Sequence, residues 1–328
     1  MSIQHYLTRP VMSIRRRNVF KGFHPNYAST LTMGVPFADI KSRNIRDGWR
    51  LCAIAHCFHC SSFSEIRSIF DNIPGRVDVF LSTDTIEKAS LLNSHFHDWD
   101  KGTVNIKIIL NIGRDLTSKF IAFDDVLDSY DLSLFVHTKQ DDGLIDANAW
   151  RRYLFHNLSG SVDICSSVIR AFQDNSDLGL VFPNHWIPAR PWIKYMKNYS
   201  IMKELAAQMS FKINRFARLD FPSGSMFWAR PQALRSIRDL NLQITHFPTE
   251  PVPKDGTLLH ALERLALHSC EQSGFKWLKV VDPQLALRTD KVAMITNNDD
   301  VRAVIARTPP VLRSSFKNLA LGFVTGRS

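Results

Sequence analysis

The hydrophobic residues of this chain fall into short apolar runs that alternate with segments of helical periodicity. The run at 49–56 fits a buried strand, and at 64–73 the residues Ile66, Ile69 and Phe70 share one helical face. The same alternation predicts further strands at 77–83, 104–110, 132–136 and 178–182, and further helices at 87–96, 120–129, 150–158, 162–172 and 201–209. Strands that alternate with helices in this way predict an α/β fold, with a mostly parallel central sheet flanked by helices.

Composition divides the chain into three predicted segments. Residues 1–48 are polar, basic and interrupted by prolines and glycines, so we predict a basic N-terminal extension. Residues 49–290 are predicted to form one domain, followed by a basic C-terminal tail at 291–328. The chain lacks an apolar window of about eighteen residues and its N-terminus does not match a secretory signal, so we expect a cytoplasmic protein.

The formal net charge of +10 favours an anionic partner, such as a nucleic acid, an acidic membrane surface or a phosphorylated substrate. A tight basic run, Arg15-Arg16-Arg17, suits peripheral contact with the anionic inner face of the cell membrane, and equally a solvated arm. The chain carries no recognisable nucleic-acid-binding motif, so we do not expect a nucleic-acid partner.

The cysteines are five in number and irregularly spaced, so we expect free thiols rather than a disulfide framework. The local cluster His56-Cys57-Phe58-His59-Cys60 raises the hypothesis of a zinc site. A structural zinc site needs four ligands, and no second pair of ligands follows at zinc-finger spacing. We therefore do not expect zinc.

Polar residues follow four of the predicted strands in succession. They are His56, Thr83 with Asp84, the segment Asn111 to Asp115, and the segment His137 to Lys139. In open parallel sheets, ligands bind beyond the carboxyl ends of the strands. Because four polar clusters occupy that position, the sequence predicts a ligand site at this edge of the sheet.

A second polar region lies between residues 219 and 264. The small turn Ser223-Gly224-Ser225 allows a close approach of backbone to ligand and leads into the apolar run Met226-Phe227-Trp228. Glu250 and Asp255 then lie in a proline-rich loop before a predicted helix that carries His260, Glu263 and Arg264. Residues three and four apart share a helical face, so these last three side chains are predicted to lie together.

These motifs carry a family resemblance. GSMFWARPQAL followed by DGTLLHALER resembles the signature of the rhamnan synthesis protein F family of bacterial polysaccharide glycosyltransferases, and NIGRD and FVHTK resemble two further motifs of that family. The resemblance covers roughly 49–280. It implies a GT-A-like glycosyltransferase domain that moves a sugar from a nucleotide diphosphate to a growing cell-surface polysaccharide. The implied acceptor is a lipid-linked glycan. Rhamnose from a dTDP donor gives the family its name, although sugars vary among such proteins.

The strand-end residues are then expected to bind the donor: His56, Thr83, Asp84, Asn111, Gly113, Arg114, Asp115, His137 and Lys139. Asp84 and Asp115 would accept hydrogen bonds from the base or from ribose hydroxyls. Arg114 would bind phosphate, since its guanidinium group matches two phosphate oxygens. The alternative for Arg114 and Asp115 is a structural ion pair that fixes the turn.

No cofactor is predicted. His137 and Lys139 stand where the resemblance implies that many GT-A enzymes place an Asp-x-Asp pair for a divalent metal, and cations there can stabilise the departing diphosphate without a metal. Asp141 and Asp142 follow closely and leave open a displaced Mg²⁺ or Mn²⁺ site, because oxygen ligands suit those ions. The alternative is a solvated acidic loop.

Two carboxylates compete for the role of catalytic base. Asp255 precedes the predicted helix where the resemblance places the base of inverting transfer, although an Asp there could also cap the helix. Glu250 is the second candidate.

The remaining candidates are assigned to the acceptor or to the cavity wall: Gly224, Ser225, Met226, Trp228, His260 and Arg264. Trp228 could stack on a sugar face, and an apolar run such as 226–228 is equally typical of a core.

Two other classes of function stay open at this point. One is a catalytically inactive glycosyltransferase-like scaffold in a polysaccharide synthase complex, which would keep the core and lose the acidic residues. The other is a basic nucleic-acid-binding module, which acidic residues at the strand ends would disfavour by repelling a phosphate backbone.

Overall fold

The computed structural model describes residues 30–40, 46–139 and 146–312. These residues form a nine-stranded sheet in the order β4-β3-β2-β5-β7-β6-β8-β1-β9. The strands are β1 Thr32–Gly34, β2 Leu51–His56, β3 Val77–Thr83, β4 Val104–Ile108, β5 Leu132–His137, β6 Leu178–Pro183, β7 Phe227–Ala229, β8 Lys276–Val281 and β9 Val292–Ala293. Within this sheet β7 is antiparallel to both of its neighbours and the other pairs are parallel, so the predicted α/β fold with a mostly parallel sheet is confirmed.

Helices cover both faces of the sheet. The α-helices are α1 Phe63–Asp71, α2 Ile86–Phe96, α3 Arg114–Thr117, α4 Asp124–Leu127, α5 Ala147–Ser159, α6 Val162–Asp174, α7 Tyr199–Gln208, α8 Arg235–Arg238, α9 Leu258–Gln272 and α10 Asn298–Arg307. Short 3₁₀ turns lie at Cys60–Ser62, Ile187–Trp192, Met196–Asn198, Pro231–Leu234, Ile244–His246 and Pro283–Leu285. None of the helices in the described ranges has the length and apolar character needed to cross a membrane.

Two apolar cores explain why the central strands are continuous hydrophobic runs. In β2, Ala53 packs into the core on the α1, α5 and α6 side, whereas Ile54 packs into the core on the α7 and α9 side. Strands covered on both faces need apolar residues at every position. The uninterrupted burial of Leu51–His56 follows from this arrangement.

The helix predicted at 120–129 is replaced by two shorter elements. A π-helical turn, Ser118–Ala122, is followed by α4, Asp124–Leu127. The turn buries Lys119, which directly precedes the predicted helix. A π-turn adds a residue to a helical turn and often marks a functional site, so local periodicity is a poor guide at this position.

Strands β7 and β8 and the edge of the sheet beyond β8 were not predicted. Strand β1, which lies inside the predicted N-terminal extension, pairs in parallel with β8 and with β9. Strands of three and two residues are too short to carry a periodic pattern. The division at 48 and 290 stays a prediction, and the structure places β1 within the predicted extension and α10 within the predicted tail.

Met226 and Trp228 are core residues rather than parts of a cavity wall. Both side chains are fully buried on the α5 side of the sheet, and the Trp228 Nε1–H donates a hydrogen bond to the Leu158 carbonyl at 2.9 Å. The hypothesis that Trp228 stacks on a sugar is therefore wrong. Strand alternation explains the outcome, because β7 begins directly after the turn and points alternate side chains into the two cores.

Replacing Trp228 with Phe tests this core role. The variant loses the indole donor and leaves the buried Leu158 carbonyl without it, so we expect a loss of about 1–3 kcal/mol in the free energy of unfolding. Urea denaturation measures the change. Trp192, which is 46% exposed, provides the matched control, and Trp192→Phe should change stability by less than about 0.5 kcal/mol. Equal stability of Trp228→Phe and wild type would contradict the assignment.

Candidate active site

A cavity of about 820 Å³ lies at the carboxyl edge of the parallel strands. The ends of β2 and β5, the turn before β7, the proline-rich loop and the start of α9 form its walls. Among the predicted site residues, those that line the cavity are His56, Asn111, Arg114, Asp115, His137, Lys139, Gly224, Ser225, Glu250, Asp255, His260 and Arg264. The structure thus brings together the strand-end clusters and the 219–264 region.

Several predicted residues do not line the cavity. Asp84 forms an ion pair with Lys88 on α2, with 2.7 Å between Oδ1 and Nζ. Thr83, the preceding residue, is fully buried. Gly113 adopts a left-handed conformation, with φ of 79°, and serves as the N-cap of α3. These residues lie next to the cavity wall without lining it, and the buried Met226 and Trp228 do not line it either.

A buried ion pair lies beneath the floor of the cavity. Lys119, which is 1% exposed, binds the Asp115 carboxylate through Nζ at 2.6 Å. The same ammonium group donates to the Ser225 Oγ at 2.8 Å and to the Ser225 carbonyl. One cation therefore joins α3 to the turn before β7.

This environment keeps Asp115 ionised. Burial by itself raises the pKa of the carboxyl group, but the Lys119 ammonium, His137 and the Ser225 hydroxyl together lower the pKa well below its usual range. The alternative of an Arg114–Asp115 ion pair is wrong in its partner, because Lys119 is the cation that binds Asp115.

The turn Ser223-Gly224-Ser225 is held from both sides. The Gly224 carbonyl accepts a 2.8 Å hydrogen bond from His137 Nε2 on β5, and the Gly224 N–H donates to the Glu263 carboxylate on α9 at 2.8 Å. Gly224 and Ser225 both have positive φ, of 87° and 57°. Glycine tolerates the left-handed conformation at position 224, where the backbone also passes close to Leu154 and Trp150.

His56 lines the cavity, and its hydrogen bond to Ser82 determines which ring nitrogen carries the proton. Its Nδ1 lies 2.9 Å from the Ser82 Oγ, and Ser82 in turn donates to Ser118 at 2.8 Å, so Nδ1 carries the proton. The His56 Nε2 is buried and lacks a hydrogen-bond partner among the described residues. Burial lowers the pKa of His56 to about 4, which leaves the ring neutral at physiological pH.

Arg114 forms a two-pronged ion pair with Glu250. The Nε–Oε1 distance is 2.8 Å and the Nη2–Oε2 distance is 3.2 Å, and the side chains are 49% and 35% exposed. Glu250 also accepts from the Val252 N–H at 2.9 Å. The hydrogen bond from Arg114 is the main reason that the pKa of Glu250 is lowered.

Asp255 fixes the start of α7 rather than the start of α9. Its carboxylate accepts hydrogen bonds from the Lys197 N–H at 2.9 Å and from the Asn198 side chain at 2.5 Å. Asn198 is the N-cap of α7, whereas α9 has Thr257 as its N-cap. Burial raises the pKa of Asp255, but these donors outweigh burial and lower it overall.

His260 and Arg264 shape the wall along α9. His260 Nδ1 lies 2.7 Å from the Thr257 hydroxyl, and burial lowers the pKa of the ring. Arg264 is 5% exposed and donates to the carbonyls of Lys194 and His260, while its guanidinium group lies 4.8 Å from the centre of the Phe221 ring. Arg264 therefore holds neighbouring backbone in place, whereas the His260 ring contacts the side chain of the N-cap residue Thr257.

An aromatic wall was missed by the sequence analysis. Trp150 lines the cavity and stacks on Trp186 with ring centres 6.2 Å apart and an angle of 13°. The Lys139 Nζ lies 4.3 Å from the centre of the Trp150 ring. Trp150 stands at the start of a predicted helix, where periodicity alone does not distinguish a core residue from a ligand-binding one. Other lining residues that were not predicted are Phe58, His59, Trp192, Phe221, Ser223, Lys254 and Glu263.

The acidic residues proposed to hold a displaced metal ion lie outside the part of the chain that the structure describes. These are Asp141 and Asp142, which fall at 140–145. In the ranges that are described, His, Cys, Asp and Glu side chains do not form a cluster that could hold a metal ion.

Comparison with known proteins gives one family and two kinds of relative. The family described as rhamnan synthesis protein F matches residues 17–275. The uncharacterized protein WxcX from two strains of Xanthomonas campestris pv. campestris is 33% identical over 168 residues, which is 51% of this chain. The match spans 24% of the length of those relatives. Among solved structures, the mannosyltransferase PcManGT from Pyrobaculum calidifontis, in complex with GDP-Man and Mn²⁺, is similar with a TM-score of 0.37 and 9% identity, over 78% of this chain and 61% of that one.

Asp115→Asn tests the ion pair beneath the cavity. The change leaves the buried Lys119 cation uncompensated, so we expect a loss of about 3–5 kcal/mol in the free energy of unfolding at neutral pH. Because the pKa of Asp115 is lowered in the folded state, its contribution is fully present above the ordinary value of 3.8 and is lost progressively as the pH falls from there through the lower folded-state pKa. Urea denaturation at about pH 7 and about pH 3 should therefore show a smaller difference from wild type at the lower pH. A constant difference would contradict this account.

Proposed function

Because the chain belongs to the rhamnan synthesis protein F family, we propose that it is a glycosyltransferase of GT-A type. In this proposal it moves rhamnose or a related sugar from a nucleotide diphosphate donor to a growing cell-surface polysaccharide. The acceptor is a lipid-linked glycan, and the protein works at the inner face of the cell membrane. Arg15-Arg16-Arg17, which would contact anionic lipid, lies outside the described residues.

The observation that carries the proposal is the mixture of charges in one cavity. Cationic side chains, Arg114 and Lys139, share the cavity with the carboxylates Asp115, Glu250 and Asp255. A nucleotide sugar needs this mixture, because its diphosphate is anionic while its ribose and sugar hydroxyls donate hydrogen bonds to carboxylates. A nucleic-acid backbone would be repelled by the same carboxylates.

Arg114 is suited to bind the diphosphate in place of its present partner, the Glu250 carboxylate. Its guanidinium group already holds one planar anion, Glu250, in the two-pronged geometry that phosphate also accepts. The pair is about half exposed, so the ion pair costs little to open or to share. Lys139, stacked over Trp150, would supply a second positive charge as the sugar leaves the diphosphate.

A carboxylate of the proline-rich loop would take the proton of the attacking hydroxyl. Asp255 and Glu250 both line the cavity, and the lowered pKa of each leaves it ionised at neutral pH. The donors that lower these pKa values also reduce basicity, and in both residues they occupy both carboxylate oxygens. Glu250 is bound by the Arg114 cation, whereas Asp255 accepts from a neutral backbone N–H and a neutral amide. We therefore favour Asp255, with direct attack that inverts the anomeric configuration.

A panel of nucleotide sugars tests the proposed function. A ligand that binds the folded state raises the melting temperature by mass action, and we expect this effect from a nucleotide sugar and from its free nucleotide diphosphate. Arg114→Ala and Lys139→Ala should each weaken binding by about 1.5–3 kcal/mol, since charge-assisted hydrogen bonds are lost. Arg76→Ala, at a side chain that is 75% exposed, is the control. Unchanged affinity in both cavity variants would place the diphosphate elsewhere.

Metal dependence is tested by chelation. Lys139 leads us to expect that turnover survives EDTA, because its ammonium group can stabilise the diphosphate. His137 does not share this role, since burial lowers its pKa and its Nε2 is bound to the Gly224 carbonyl. The measurement is the rate of sugar transfer with EDTA and after addition of Mn²⁺. If EDTA abolishes transfer and Mn²⁺ restores it, the metal-independent mechanism is wrong and Asp141 and Asp142 become the candidate ligands.

The identity of the base is tested by two amide substitutions. Asp255→Asn removes basicity, so we expect turnover to fall by a factor of about 100 to 10,000 with donor binding retained. Its melting temperature should also fall, because the hydrogen bonds to Lys197 and Asn198 weaken. Glu250→Gln should mainly alter donor binding through Arg114. A Glu250→Gln variant without turnover beside a fully active Asp255→Asn would exchange the two roles.

A further inference from the structure

A chain of buried hydrogen bonds ends at the wall of the cavity. Ser223 lines the cavity, and its Oγ lies 2.7 Å from His185 Nδ1, at the end of β6. The opposite ring nitrogen, His185 Nε2, lies 2.8 Å from Asp220 Oδ1. His185 and Asp220 are fully buried and Ser223 is 5% exposed. Serine, histidine and aspartate therefore form a continuous relay from the core to the cavity.

The charges around Asp220 fix the direction of every hydrogen bond in this relay. Its carboxylate binds Lys279 Nζ at 2.8 Å and Arg218 Nη2 at 3.2 Å, so it is ionised and acts only as an acceptor. His185 Nε2 must then carry the ring proton and donate to Asp220. The neutral ring has Nδ1 as an acceptor, and the Ser223 hydroxyl proton is consequently directed at His185.

This direction determines what Ser223 can offer to a ligand. With its single proton committed to His185, the Ser223 Oγ has only lone pairs left for a ligand in the cavity that Ser223 lines. Another lining residue, His56, has a second acceptor atom. Its Nδ1 donates its proton to Ser82, so its Nε2 is an acceptor, and Nε2 lacks a partner among the described residues. Two buried chains thus make acceptors of atoms that could otherwise donate.

The surroundings do not suit Ser223 as a covalent nucleophile. Acyl transfer at a serine needs nearby backbone N–H groups to stabilise an oxyanion. The Gly224 N–H is bound to Glu263 at 2.8 Å, and the Ser225 N–H is bound to the Pro222 carbonyl at 2.8 Å. Burial also lowers the pKa of His185 to about 4, which makes the ring a weak base. Hydrogen-bond acceptance is the role that the geometry supports.

We propose that Ser223 accepts a hydrogen bond from a sugar hydroxyl of the substrate, and that His185 and Asp220 are positioning residues that fix its proton. The inference rests on the proposed function for the class of substrate. The hydroxyl belongs either to the transferred sugar or to the acceptor sugar, since both offer the same chemistry. Ser223 thereby discriminates a sugar that has a hydroxyl at this position from a deoxy analogue that lacks it.

The proton positions are tested first, without any substrate. ¹⁵N-histidine NMR of the full chain, with His185 assigned by comparison with His185→Asn, reports which ring nitrogen carries the proton. We expect the Nε2–H form from about pH 6 to about pH 8, and the same form in Ser223→Ala, because Asp220 sets it. An Nδ1–H form would overturn the inference, since His185 would then donate to Ser223. If His185→Asn does not fold, Asp220→Asn provides the assignment through its shifted His185 signal.

Ligand binding is tested second, with dTDP, dTDP-rhamnose and methyl α-L-rhamnoside as probes. If the transferred sugar is the source, Ser223→Ala should weaken binding of dTDP-rhamnose by about three- to tenfold and leave dTDP unchanged. If the acceptor sugar is the source, donor binding stays unchanged and KM for the acceptor rises by a similar factor. Ser236→Ala, at a serine that pairs with Ser269 away from the cavity, is the matched control.

Failure of the proposed function is distinguishable from failure of this inference. If wild-type protein binds neither dTDP nor dTDP-rhamnose, the assumed donor is wrong, and methyl α-L-rhamnoside at high concentration still reports on the hydroxyl. Weaker binding of that glycoside to Ser223→Ala than to wild type and Ser236→Ala supports the inference. Equal affinity of Ser223→Ala and wild type for every probe, with equal KM for the acceptor, overturns it.

Discussion

The cavity depends on one buried cation. Lys119 binds Asp115 on α3 and both oxygen atoms of Ser225, and these contacts join a helix that follows β4 to the turn that precedes β7. A buried ammonium group is costly unless it is paired and fully hydrogen-bonded, so its partners are held in fixed positions. This turn leads directly towards β7, which is antiparallel to both of its neighbours in the sheet. The turn itself forms one wall of the cavity.

The same principle of compensated burial recurs around the cavity. Asp220 is matched by Lys279 and Arg218, and Gly224 is held between His137 and Glu263. These groups are already satisfied before a ligand arrives, so they define the shape and proton positions of the site. The half-exposed Arg114–Glu250 pair is different, because solvent screens it and a ligand can take the place of one partner.

The sequence predicted the features that depend on short stretches of chain. Strand β3 occurs at the predicted bounds, and the polar residues after β2 and β5 converge on one cavity, because parallel strands end at the same edge of a sheet. What it missed depends on partners distant in the chain. Ser223 became a candidate acceptor through His185, 38 residues away, and Lys119 joins the nearby Asp115 to Ser225, 106 residues away. Trp228 was assigned to the site because an apolar run alone does not reveal which face of a strand is covered.

We propose that this cavity holds a nucleotide diphosphate sugar with its diphosphate at Arg114 and Lys139. The decisive experiment is a crystal structure of the protein with dTDP-rhamnose. We expect the diphosphate within hydrogen-bonding distance of both cations, with the sugar directed towards the turn at Gly224. An ordered nucleotide bound outside this cavity, or bound inside it with its diphosphate remote from both cations, would rule out this binding mode.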